Sequence, residues 1–284
     1  MGRSIVNNLK FKKSSGKFNP QEFAKLLDDA YLSTKRPNQI TTKTSFSPSS
    51  LGYGHGNCPR YWYLAFSGIM FIDDNDAIAV ANMAQGTQAH ERIQGLIDKI
   101  TVQLSDADVD NNTLGLDVVA PQKILKEEEK EIKNVYPPIR GFIDLVLDWK
   151  GETVLGEIKT AKQEVWDTRQ AEMQPTANHM LQLLTYMKLM DVKEGFFLYE
   201  NKNTQELLVL PIQMSERNIR IIDELFLWLC EVWDNYKNGG LPMRPEGYTK
   251  SKAPCSNCAL KKACWEKDAE FGTVQIEPYK VPKL

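Results

Sequence analysis

Hydrophobic and polar positions alternate most regularly between Arg140 and Ala161, where apolar side chains recur at every second residue on both sides of Lys150-Gly151. That period predicts two strands joined by a tight turn, a β-hairpin. With Lys150-Gly151 as the loop, Trp149 pairs with Glu152, and counting outward sets Val146 opposite Leu155 and Asp144 opposite Glu157. Upstream, the charged run Lys123 to Lys133 reads as an edge strand with its charges in solvent. Downstream, Gly195 to Glu200 and Glu206 to Ile212 form a second hairpin that extends the sheet. Helical spacing is predicted for Pro20 to Leu32, for Asn75 to Ile100 with an interruption near Gly86, and for Glu164 to Met190. It recurs from Ser215 to Tyr236, with Ser215 as N-cap and Gly239-Gly240 as the stop. Another helix start is expected near Ser49 or Pro59, and residues 101–118 read as a polar loop.

Opposed residues of an antiparallel pair carry Cβ atoms about 4.5–5.5 Å apart, so the hairpin register sets two carboxylates against each other. Their repulsion turns into binding when a divalent cation lies between them, and Mg²⁺ or Mn²⁺ prefers such hard oxygen donors. Lys159, two residues beyond Glu157, projects from the same face and can position an attacking nucleophile or stabilise charge forming on a phosphate. Taken alone, the same residues equally describe a surface hairpin with solvated charges.

In its 284 residues the chain has ordinary hydrophobic (42%) and charged (25%) fractions, which permit a sizeable core. With a net charge of −2, any nucleic-acid contact must come from local patches. Lys10, Lys12, Lys13, Lys17, Lys35, Arg36 and Lys43 form one such stretch, and Lys250, Lys252, Lys261 and Lys262 another. Neither a membrane-length apolar run nor a signal-peptide core is present, so a cytoplasmic location is expected. Three of the five cysteines cluster as Cys255-x2-Cys258-x5-Cys264, which fits a metal or cluster site better than a disulfide framework. Cys58 is the candidate fourth ligand, and Cys230, among Phe226, Leu229 and Trp233, reads as core. Four thiolates suit tetrahedral Zn²⁺ or an iron–sulfur cluster, and spacing alone does not decide. Arg60 and its aromatic neighbours fit either a strand clamp or the core.

Gly141-x-x-Asp144 followed by Glu157-Ile158-Lys159 resembles the PD-(D/E)XK nuclease core in its RecB-like form, with Ile143 where the superfamily label has proline. Gln182-Leu-Leu-Thr-Tyr186 resembles the Gln-x-x-x-Tyr motif of that branch, and Gly86-x-x-x-His90 resembles the motif carrying its metal-binding histidine. The cysteine set resembles that of the iron–sulfur nucleases, the CRISPR-associated RecB-like exonucleases and the AddB nuclease domain, and the source implied includes phage genomes. The resemblance implies an α/β, restriction-endonuclease-like mixed central sheet flanked by helices. A [4Fe–4S] clasp (in preference to Zn²⁺) held by Cys58, Cys255, Cys258 and Cys264 would join the two ends. It implies Mg²⁺ or Mn²⁺ held by His90, Asp144, Glu157 and the backbone carbonyl of Ile158. Lys159, Gln182 and Tyr186 complete the catalytic set, with His179 a weaker candidate for the same surface.

The organisation expected is a basic arm over 1–44, a nuclease core over 45–240 and a cysteine region over 241–284. The activity implied is exonucleolytic hydrolysis of DNA, with single-stranded ends preferred, in recombination, repair or CRISPR spacer processing. The alternatives are a nuclease subunit working with a helicase or integrase partner, and a non-catalytic DNA-binding module. No Gly-x4-Gly-Lys-Ser/Thr motif occurs, so any unwinding would need such a partner.

Overall fold

The computed structural model describes residues 19–35, 39–40, 42–72, 74–102, 122–266 and 272–283. Lys10, Lys12, Lys13, Lys17 and Arg36 of the basic stretch, and residues 103–118 of the expected loop, lie outside that set.

Five strands form one mixed sheet in sequence order: β1 (Leu125–Asn134), β2 (Ile139–Trp149), β3 (Glu152–Ala161), β4 (Glu194–Asn201) and β5 (Leu207–Gln213). All neighbours are antiparallel except β3 and β4, which run parallel. A parallel pair needs a long crossover, and helices α4 (Gln163–Glu172) and α5 (Ala177–Leu189) supply it. The register is the one set by Lys150-Gly151: Trp149 pairs with Glu152 and Val146 with Leu155. Both turn residues take positive φ, 55° and 90°, the conformation of a two-residue turn whose twist matches the strands it joins. The charged run forms β1 at the sheet edge, as its pattern predicts.

Each face of the sheet is covered. On one side α3 (Ala77–Ile97) packs Ile93 and Ile97 against Leu145, Leu147, Ile158 and Leu198. On the other, α5, α6 (Glu216–Lys237) and α2 (Pro59–Phe66) close the main core, which also takes in Leu260 and Ile276 from the C-terminal region. Helix α1 (Pro20–Ser33), capped by Asn19, lies against α3. Among the described residues no helix is long and apolar enough to cross a membrane.

Three expectations change. Helix α3 continues through Gly86, near which the sequence pattern predicts an interruption. A mid-helix glycine costs only about 1 kcal/mol, and burial of Val80, Ala89 and Ile93 along the helix outweighs it. The expected single helix from Glu164 to Met190 is two helices, because Met173 turns left-handed at φ 50° and Pro175 follows. Arg60 is fully buried and donates to the Pro242 carbonyl at 2.7 Å, so it ties α2 to the C-terminal region and is withdrawn from any clamp. Trp62 and Phe66 beside it are core, packed with Phe46.

Candidate active site

The site lies where β2 and β3 part. Their ladder ends at Leu145–Gly156, one step short of Asp144 and Glu157. Beyond that point the Asp144 carboxylate replaces the ladder: its Oδ2 accepts the Ile158 N–H at 2.7 Å. The opening is partly filled from upstream, where Phe46 donates its N–H to the Pro138 carbonyl and accepts from Arg140 N–H. A cleft of about 580 Å³ results. One wall carries Asp144, Glu157, Lys159, Gln182 and Tyr186; the other is the hydroxyl-rich stretch Thr42 to Ser49 with Lys43.

Each sequence-predicted side chain has a defined place. Glu157 is 2% exposed, and its Oε1 receives the Lys159 ammonium at 2.6 Å and the Gln182 amide. Its Oε2 is also buried and has no hydrogen-bond partner. Burial raises the Glu157 pKa to about 7, against the opposing pull of Lys159. For Lys159 burial acts downward, but the charges of Glu157 and Asp144 outweigh it, so the group is held more firmly as a cation. On α3, His90 Nδ1 stands 3.5 Å from Asp144 Oδ1. Burial lowers the His90 pKa, yet the hydrogen bond and charge of Asp144 prevail and the net direction is upward. Gln94, one helical turn further on, donates to the Asp144 carbonyl at 3.2 Å.

Gly141 and Tyr186 explain each other. A Cβ at Gly141 would sit 2.6 Å from the Tyr186 hydroxyl and 2.9 Å from Pro48 Cδ. Two motifs about 45 residues apart thus meet at one contact, since only a residue without Cβ admits the tyrosine over the strand. His179 does not line the cleft. Its ring is held between the hydroxyls of Tyr53 (3.0 Å) and Tyr199 (2.7 Å). Burial, then the charges of Lys159 and Arg169, bring its pKa down to about 3. It is a positioning residue that fastens the 52–53 segment to α5.

Sequence reasoning missed most of the opposite wall. Thr42, Thr44, Ser45, Ser47 and Ser49 face the carboxylates from about 100 residues upstream, and no periodicity marks them. Lys43, named only as one of several cations, donates to Ser47 Oγ at 3.0 Å. Arg140 and Phe142 also line the cleft, and no sequence pattern marks them.

The four predicted cysteines converge elsewhere. Cys58, Cys255, Cys258 and Cys264 line one cavity with His55, Tyr61, Leu64 and Leu260, and none is in a disulfide. Burial, and beyond it the charge of neighbouring thiolates, raises the pKa of the Cys255 thiol and brings that of Cys258 up to about 11. Cys58, more buried, rises to about 12. Cys230 is apart from them, half-buried on α6 beside the Tyr136 hydroxyl, so its expected place in the core is corrected. Among the described residues no group of three or more His, Cys, Asp or Glu side chains forms a ready metal site. The donors nevertheless suit their groups. A buried, unpaired carboxylate oxygen beside a second carboxylate fits a hard divalent cation, and four convergent thiols fit a soft metal or a cluster.

Residues 127–265 match the family model described as the PD-(D/E)XK nuclease superfamily. That matched segment holds both carboxylates, Lys159, Gln182, Tyr186 and three of the four cysteines. No curated protein matches the chain. Among solved structures, the alkaline exonuclease LHK-Exo from Laribacter hongkongensis aligns at TM-score 0.44 and 13% identity, over 75% of this chain and 95% of that one. The protein SSO0001 aligns at 0.43 and 13%, over 86% and 95%. A phage-related exonuclease from Haemophilus somnus aligns at 0.36 and 15%, over 71% and 96%.

Proposed function

We propose that the chain is a divalent-metal-dependent deoxyribonuclease that shortens DNA from single-stranded ends. The observation that carries this reading is the buried, unpaired Oε2 of Glu157 in a cleft with Asp144 and Lys159. A carboxylate oxygen out of water with no donor is costly, and a cation is the partner that chemistry supplies. Asp144, Glu157, the Ile158 carbonyl and His90 would hold Mg²⁺ or Mn²⁺. When bound there, the ion supplies Lewis acidity and charge neutralisation for phosphodiester hydrolysis.

The chain's own groups do the rest. Lys159, kept cationic by its two acidic neighbours, stabilises charge building on the phosphate. Gln182 fixes Glu157 and so fixes Lys159. Tyr186, wedged over Gly141, holds the β2 end of the site in place. Lys43 and Arg140, with the hydroxyls from Thr42 to Ser49, receive the phosphate oxygens of the strand. The four cysteines hold a [4Fe–4S] cluster, which pins Cys58 to the C-terminal region across about 200 residues of chain. Such thiolate chemistry belongs in a reducing compartment.

The test is digestion of end-labelled single strands and duplexes with Mg²⁺ or Mn²⁺ by wild type and Lys159→Ala. The reading expects laddering from an end by wild type, faster on single strands, and cleavage lower on the order of 10²- to 10³-fold with the variant. Equal digestion by both would reject it.

A further inference from the structure

Phe142 has no part in the chemistry above, yet it lines the same cleft as Asp144, Glu157 and Lys159 and leaves 50% of its surface open. Its neighbours on β2 are settled: Ile143 is fully buried, and Gly141 is covered by Tyr186. A single exposed aromatic on a convex surface is ordinary. Here the ring stands in a concave wall whose other side chains, Tyr186 apart, are hydroxyls, carboxylates, an amide and cations. The Arg140 guanidinium lies 5.9 Å from the ring centroid and is anchored by an ion pair to Glu131, so a cation stands beside the ring. Two residues along an extended strand, about 6.5 Å, separate the ring's backbone from that of Asp144. That span is comparable to the separation between a phosphate and the base it carries.

We infer that Phe142 is a stacking platform for an unpaired base next to the bond being cut, with Arg140 taking the adjoining phosphate. The inference rests on the nuclease reading and adds a substrate feature to it. Every base offers a π-face, so the contact is indifferent to sequence. Inside a duplex both faces are already stacked on neighbours, so a single strand or a frayed end delivers one most readily. The platform therefore selects for an unpaired nucleotide.

The closing experiment separates stacking from cleavage. Full-length protein carrying Lys159→Ala, in buffer without divalent metal, is titrated into single-stranded oligonucleotides containing 2-aminopurine at successive positions from the end. Stacking should quench the fluorescence at one position, and adding Phe142→Ala should remove the quench while Phe142→Trp keeps it. In the otherwise wild-type protein, Phe142→Ala should raise KM on single strands between about five-fold and about a hundred-fold. It should leave Tm unchanged, because the ring is exposed. A substrate lacking the base at the quenched position should show the same rise with wild type and no further rise with the variant. An unchanged quench in Phe142→Ala, or equal cutting of the abasic and normal strands by wild type, would overturn the platform even if the protein is an active nuclease. Absence of both DNA binding and cleavage in wild type would instead overturn the nuclease reading beneath it.

Discussion

Between Thr42 and Cys58 the chain passes from a wide polar cleft to a small thiol cavity, and the two places obey opposite physics. The cleft is lined by hydroxyls, cations and two carboxylates, one of them buried with an unpaired oxygen. The cavity is lined by four sulfurs with Tyr61, Leu64, Leu260 and Trp265. Hard oxygen donors in the first suit a small divalent cation, and polarisable sulfur in the second suits a soft metal. The two carboxylates of the cleft come from one local hairpin, whereas the cavity joins cysteines about 200 residues apart. They are not independent. His55 lines the thiol cavity, and its pKa is lowered first by burial and then by the charge of Lys43, which lines the cleft. Loosening one end of the 42–58 segment should therefore be felt at the other.

The largest effect that can break this division is chemical. Lys159→Ala should lower DNA cleavage on the order of 10²- to 10³-fold, measured on end-labelled strands, while the visible absorption of the cysteine site stays as in wild type. Cys258→Ser should do the reverse in order of cause. It should bleach the cysteine site, lower Tm by several degrees, and only then reduce cleavage through the displaced Thr42–Ser49 wall. A Cys258→Ser protein that keeps full Tm and full activity would show that the shared segment couples nothing.

Gly141→Ala should destabilise by about 1–3 kcal/mol through overpacking against the Tyr186 hydroxyl. Tyr186→Phe should restore part of that loss if the contact is the cause, which denaturant melts of the double-mutant cycle would read. The His179 prediction concerns pH. Its folded pKa, about 3, lies below the ordinary 6.5, so the unfolded chain binds the extra proton first. Its contribution is complete above about pH 6.5 and declines as pH falls toward 3. His179→Gln should flatten the stability profile over that window by about one proton. The smallest effect belongs to the turn: Gly151→Ala, at φ 90°, should cost about 1 kcal/mol and leave both sites unchanged.

The hairpin was legible because three independent signals agreed on it: alternation, a Lys-Gly turn and the charges two positions apart. Asp144 and Glu157 were therefore locatable by counting alone. What the count did not contain is the separation of the strands at Leu145–Gly156, which depends on Phe46 entering from upstream. The hydroxyl wall was illegible for a related reason: serines and threonines in an irregular segment carry no period, and only tertiary contact tells them from a loop. Met173 ended a helix in a left-handed conformation that a glycine or asparagine would have announced. Gly86 misled in the opposite direction, since packing held a helix where composition predicted a break. The cysteines were legible by arithmetic, three in a cluster and one needed, with no structural pattern to place the fourth.

The central claim is that Asp144 and Glu157 jointly hold a divalent cation at the mouth between β2 and β3. Titration of metal-free protein with Mn²⁺, followed by electron paramagnetic resonance of the free ion, tests it without any substrate. Wild type should take up about one or two ions per chain, and Asp144→Asn and Glu157→Gln should each abolish that uptake while melting as folded proteins. Undiminished Mn²⁺ binding in both variants would contradict the claim.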